Sequence, residues 1–143
     1  MFNSFSAMDI SASGLAAERV RMEVTANNIA NANTTQTESG DPFRKQRVVF
    51  AAAMHQANGR QMQPGGVKVV GLESDQSAFQ EIYDPEHPHA DPETGILRLP
   101  NVKIPNEMVD LITASRSYEA NLRAISLFKD MVEQTLNLLQ GNR

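Results

Sequence analysis

The stretch Pro105–Gln140, PNEMVDLITASRSYEANLRAISLFKDMVEQTLNLLQ, reads as one long amphipathic helix with two apolar stripes. At about 100° per residue, Leu111, Ala114, Tyr118, Leu122, Ile125, Phe128, Val132, Leu136 and Leu139 share a face. Val109, Ala120, Ala124, Leu127, Met131 and Leu138 lie behind them. A helix that packs only inside its own domain needs a single stripe. The other end of the chain repeats the pattern from Ser6 to Asn33. There Phe5, Met8, Ala12, Leu15, Ala16, Met22, Ala26, Ile29 and Ala30 fall on one side, with Ile10, Ala17, Val20 and Val24 opposite. One face of each helix pairs the two ends, and the other is left for neighbours. The expected fold is mainly α: antiparallel N- and C-terminal helices form a coiled-coil-like unit, with a small irregular β and loop segment between them.

Local signals place the helix ends. Ser6 followed by Asp9 resembles a weak capping box, with Phe5 and Ile10 positioned as a hydrophobic staple. Past Ile29, the run Ala30-Asn31-Ala32-Asn33-Thr34-Thr35 offers side chains that compete with the helix for hydrogen bonds, so the helix fades near Asn33. The second helix opens at Pro105, a favoured first-turn residue, and closes at Gly141, which caps readily in the left-handed conformation. Glu119 with Arg123, and Lys129 with Glu133, stand four apart on its exposed sides.

Between the helices all seven prolines fall from Pro42 to Pro105, which excludes helix over most of that span. Short β-type runs lie between the breakers at Arg44–Ala51, Val67–Leu72, Phe79–Tyr83 and Ile96–Lys103, consistent with two hairpins or a small irregular sheet. Gln56–Gly66 and Asp84–Gly95 read as mobile, turn-rich loops. The expected organisation is an N-terminal helix over 1–34, a β-hairpin and loop segment over 35–104 and a C-terminal helix over 105–143, with the two helices in one elongated unit. Such a pair is marginal alone, because helices owe most of their stability to buried faces. Burying the second stripe on another subunit supplies the missing contacts.

Composition narrows the function. Lys+Arg 13 against Asp+Glu 17 gives a net charge of −4. With no basic tract, the electrostatic footprint of a nucleic-acid binder is missing. The absence of cysteine removes disulfides, thiolate metal sites and a Cys nucleophile. The longest apolar run, Val48–Met54, is too short to span a bilayer. Met1-Phe2-Asn3-Ser4 lacks the basic start and apolar core of a cleaved secretory signal.

No constellation of residues supports catalysis or a cofactor. Asp84, Glu86, His87, His89, Asp91 and Glu93 are metal-ligand types, but Pro85, Pro88 and Pro92 alternate with them and nothing makes them converge; a solvated, Pro-stiffened turn is the plainer reading. Glu81 and Asp84 could serve as a hydrolytic carboxylate pair, yet no further catalytic group stands beside them. His55 has no Ser, Asp or Cys partner for a triad, and Gly65-Gly66 fits neither phosphate-loop pattern. Arg44-Lys45-Gln46-Arg47 could meet an acidic partner or lipid, but three charges are few for a lipid site, which leaves an exposed strand face. Asn27 and Asn31, one turn apart beside Ala26 and Ala30, offer amides across a close helix contact or simply a fraying helix end. Arg19 and Lys129 interrupt the main stripes, where long basic chains snorkel outward or find carboxylates on a neighbour.

Three ordered motifs carry a family resemblance. ANNIANANT at 26–34 is similar to the N-terminal signature of bacterial flagellar rod and hook proteins. RKQRVVF at 44–50, shortly after Gly40-Asp41-Pro42-Phe43, and ASRSYEAN at 114–121 resemble the proximal rod component C, the FlgC family of basal-body rod proteins. The resemblance implies a structural, non-enzymatic subunit of the proximal rod. It also implies export through the flagellar type III apparatus without a cleaved signal, residence in the basal body across the periplasmic space, and transmission of torque for swimming. The implied partners are copies of the chain, other rod proteins, the export apparatus and the MS ring, with no small-molecule substrate, nucleic acid, metal or cofactor. On this reading Leu15, Met22, Ile29, Leu111, Tyr118, Leu122, Ile125 and Val132 pack helix on helix. Val20, Val24, Asn27, Asn31, Leu127 and Met131 meet other subunits. A soluble coiled-coil adaptor or flagellar export chaperone is the alternative; it would be stably helical alone and of fixed stoichiometry, whereas a rod subunit orders its ends on assembly.

Overall fold

A computed structural model describes residues 2–57 and 61–140, with side chains described from residue 7 onward except at 55–64 and 140. The elements run α1 (Phe2–Ala30), β1 (Gln46–Ala57), β2 (Gln61–Ser74), β3 (Gln80–Tyr83), β4 (Ile96–Leu99) and α2 (Ile104–Gln140). Two long terminal helices thus flank a small β segment. α1 starts at Phe2, so Ser6 and Asp9 lie inside the helix and not at its cap. Asn3 and Ser4 cost only about half a kcal/mol each in helix propensity, and no Pro or Gly precedes Ser6 to stop the helix. At its other end the regular hydrogen bonding tightens, with Ala32 N–H donating to Ile29 O at 3.2 Å and Thr34 N–H to Asn31 O at 3.1 Å. α2 begins one residue before Pro105. The cap expected at Gly141 lies outside the described residues.

The strands form two separate two-stranded sheets, β1 with β2 and β3 with β4. β1 and β2 extend through most of the stretch expected to be a loop at Gln56–Gly66. Every strand of a two-stranded ribbon is an edge, so Pro64 and the Gly65-Gly66 pair are tolerated within β2. β4 ends at Leu99, short of the expected Lys103, because Pro100 follows it. β3 and β4 are antiparallel, with Gln80 opposite Leu99 and Tyr83 opposite Ile96. Their long connection is cross-braced: Asp84 N–H donates to Gly95 O at 3.0 Å and Gly95 N–H to Asp91 O at 2.8 Å.

The chain divides into two compact units. The first comprises Met1–Val20, Phe50–Val70 and Thr113–Arg143. Its helices meet at small residues: Ala17 and Ala114 are buried, and the side chain of Asn121 covers Gly14 so closely that a Cβ there would lie 2.8 Å from its Nδ2. β2 reaches α1 at Ser13, whose Oγ accepts from Val67 N–H at 3.0 Å and donates to Ile10 O at 2.7 Å. The second unit comprises Arg21–Val49 and Gly71–Ile112. Its interior gathers Val24, Thr25, Asn28, Ala32, Leu97, Pro100, Val102 and Glu107.

Candidate assembly faces and a buried polar hub

Helical spacing puts Leu127, Met131 and Leu138 on one side of α2, and they are 63%, 52% and 77% exposed. Leu122, Val132, Leu136 and Leu139 lie on the opposite side and are exposed too. Lys129 joins Met8, Val132, Glu133 and Leu136 around an apolar groove. A third row, Ile104, Met108 and Ile112 at four-residue spacing, opens α2 and is exposed with Val109. Sequence reasoning missed that row, although its spacing was visible, because Ile104 stood outside the expected helix.

The remaining residues expected to pack between helices, Leu15, Met22, Ile29, Leu111, Tyr118 and Ile125, are half-buried in the chain. Among those expected to meet other subunits, Val20 and Asn31 are half-buried and Asn27 is exposed. Val24 is only 9% exposed, so its own chain leaves it little surface to offer. The Asn27–Asn31 pair closes on itself along the helix, Asn31 Nδ2 donating to Asn27 O at 3.0 Å.

The basic run at 44–47 neither presents an exposed strand face throughout nor forms a free cationic patch. Arg44 stacks its guanidinium 4.2 Å from the Phe79 ring centroid and donates to Asp75 O and Ser77 O. Lys45 Nζ turns inward to pair with Glu107 Oε1. Gln46 exchanges two hydrogen bonds with Asn28, and Arg47 approaches Asp75 at 3.8 Å. Lys45 N–H donates to Asn101 Oδ1 at 2.8 Å, and Asn101 Nδ2 donates to Asp75 O and Ser77 Oγ. Asn28 and Glu107 are each 1% exposed. Burying a charge is costly without a partner, and this hub supplies one from each direction.

None of these hub residues was singled out as buried by sequence reasoning. One signal was available for Asn28: Val24, Asn28 and Ala32 follow at four-residue intervals, so an amide falls within a buried row.

The His-rich turn is held by its own bonds. His87 and His89 rings meet edge to face with centroids 5.3 Å apart, and His89 Nδ1 lies 2.8 Å from Thr35 Oγ1. Glu93 N–H donates to Asp91 Oδ1 at 3.0 Å and Thr94 Oγ1 to Asp91 Oδ2 at 2.9 Å, which hold the Asp91 carboxyl below the usual aspartate range. The Ser77 backbone N–H does the same for Asp75. Among the described residues no three His, Asp or Glu side chains are placed to hold a metal ion. No helix among the described residues is long and apolar enough to cross a membrane. The described surface of α2 offers apolar faces suited to packing.

Comparison with known proteins bears on what those faces meet. Residues 8–36 match a family described as flagella basal body rod protein, and residues 93–138 match flagellar basal body rod FlgEFG protein C-terminal. The chain is 46% identical to the flagellar basal-body rod protein FlgC of Aquifex aeolicus, over 94% of this chain and 96% of that one. It is 39% identical to the FlgC of Borreliella burgdorferi, over 96% and 98% of the two chains. The FlgC of Salmonella typhimurium is 40% identical over 92% and 95%.

Proposed function

The chain belongs to the FlgC family of flagellar basal-body rod proteins, and we propose that it is a subunit of the proximal rod, polymerising through its terminal helices to carry torque for swimming. Its role in the basal body is structural, not enzymatic. The observation that carries the mechanism is the doubled apolar exposure of α2, with Leu127, Met131 and Leu138 on one side and Leu122, Val132, Leu136 and Leu139 on the other. A single partner helix covers one side; a surrounding lattice of subunits covers both. Burial at about 25 cal/mol per Å² over many neighbours makes the assembly strong although each contact is weak.

Leu15, Met22, Ile29, Leu111, Tyr118 and Ile125, half-buried in the chain, pack helix on helix within their units, and Leu122 and Val132, which the chain leaves exposed, pack on helices of neighbouring subunits. The small-residue contacts at Gly14 and Ala114 support an antiparallel, coiled-coil-like pairing of the ends. Val20, Asn27, Asn31, Leu127 and Met131 face other rod subunits. The subunit leaves the cytoplasm through the flagellar type III apparatus without a cleaved signal, lodges in the periplasmic rod, and meets copies of itself, other rod proteins and the MS ring.

Leu127→Asp tests this reading. With 63% of Leu127 exposed in the free chain, its burial in the rod contributes about 1 to 2 kcal/mol per subunit, and a carboxylate there adds a desolvation cost. The variant should unfold in urea at the parent midpoint yet fail to support swimming or enter basal bodies. Normal swimming with normal incorporation would overturn the proposal.

A further inference from the structure

Gln46 opens β1, and its backbone N–H and C=O are both taken by a side chain. Gln46 N–H donates to Asn28 Oδ1 and Asn28 Nδ2 donates to Gln46 O, each at 2.9 Å. That is the pair of bonds a residue on a neighbouring antiparallel strand would exchange. The remaining hydrogen of Asn28 Nδ2 goes to Glu107 Oε2 at 2.9 Å. An ionised carboxylate only accepts hydrogen bonds, and Lys45 holds the other oxygen of Glu107. Reversing the Asn28 amide would set its oxygen against both Glu107 Oε2 and Gln46 O and its NH2 against Gln46 N–H, three mismatches around a side chain that is 1% exposed.

We infer that Glu107 is a positioning residue: by orienting the Asn28 carboxamide it fixes Gln46 as the residue where the chain enters β1, and so ties the start of α2 to the first residue of that strand. The neighbouring residue cannot substitute, because Lys45 N–H is committed to Asn101 and Lys45 O to Asp75 N–H at 2.8 Å. A slip of one residue would also invert the faces of every β1 side chain. The buried pair is therefore read as a specificity device; ion pairs of this kind add little net stability over apolar packing. The inference rests on the hub alone and does not depend on the rod assignment.

Hydrogen exchange on the full chain tests it, reading the Gln46 amide against amides of the β3–β4 hairpin. In Glu107→Gln the new NH2 must face either the Lys45 ammonium or the Asn28 amide hydrogens. Exchange at Gln46 should then accelerate about tenfold relative to the hairpin, the size expected for one lost buried hydrogen bond. Lys45→Met leaves the carboxylate buried without its cation and should accelerate Gln46 further, and adding Glu107→Gln to it should slow exchange again. Equal acceleration at Gln46 and the hairpin, or a double variant no better than Lys45→Met, would overturn the inference.

Discussion

Gly66 has a φ of 118°, and the space its missing side chain leaves is filled by α1. A Cβ at this position would lie 2.1 Å from Ser13 Oγ, 3.0 Å from Ser13 Cβ and 3.5 Å from Ile10 Cα. Gly66→Ala therefore acts twice. The backbone conformation is one that side-chain-bearing residues rarely adopt, at a cost of about 1 to 3 kcal/mol. The Ser13 hydroxyl must also swing away, giving up its bond from Val67 N–H, worth about 1 kcal/mol. The sum is about 2 to 4 kcal/mol, read as a lowered free energy of unfolding in urea by circular dichroism of the full chain. Ser13→Ala removes the nearest obstructing atom, so the double variant should be less damaged than the sum of the singles by about 1 kcal/mol. A Gly66→Ala chain within about 0.5 kcal/mol of the parent, or a strictly additive double, would refute the close-approach reasoning.

Val24→Asp contrasts with Leu127→Asp: Val24 is buried in its own chain, so an unpaired carboxylate there should cost several kcal/mol and lower the urea midpoint before assembly is at issue. Gly14→Ala should be nearly neutral in the same melt, because the atom in the way is the movable amide of Asn121 and alanine returns about 1 kcal/mol of helix propensity. For Asp91, bonding from Glu93 N–H and Thr94 lowers the folded pKa, so the carboxylate's contribution is present above the ordinary value of 3.8 and is lost as pH falls through the lower folded value. A carboxyl NMR titration should find its midpoint below 3.8, with the Glu93 amide losing protection as pH falls through that midpoint; a midpoint at or above 3.8 contradicts the turn geometry.

The two helices were legible because apolar periodicity is a local signal repeated over many turns. Their inner ends were legible as well, Pro105 marking one and the Asn-rich run after Ile29 the other. The start of α1 was not, since a weak cap motif at Ser6 loses to a helix that simply continues. β1 and β2 were recognised only in part: the Pro and Gly residues that signal a loop are tolerated in strands that both lie at an edge. The basic run was misread for a deeper reason. Whether Lys45 is solvated or buried depends on Glu107, 62 positions away, and Asn28 finds the same carboxylate from 79 positions away. No periodicity encodes such a meeting. Exposure of Leu127 and Met131 followed from the wheel, while the burial of Val24 depended on what the rest of the chain brought to it.

The bonds of Asn28 to residue 46 and of Asn101 to residue 45 read backbone atoms of the middle segment, and only Ser77 Oγ adds a side chain to the Asn101 contacts. Residue 46 can therefore be any amino acid that keeps its N–H, and only proline is barred. The entry of the segment at Lys45 is also fastened to its exit at Asn101. Asp75 and Ser77 are held at the same mount, so the ribbon between Gln46 and Ser74 hangs from a closed seat, and a change in its length alters the closure cost only slowly. Ribbons of other lengths between residues 47 and 74 leave that seat unaltered, making the ribbon of this subunit an exchangeable part and its helical ends the standard fitting.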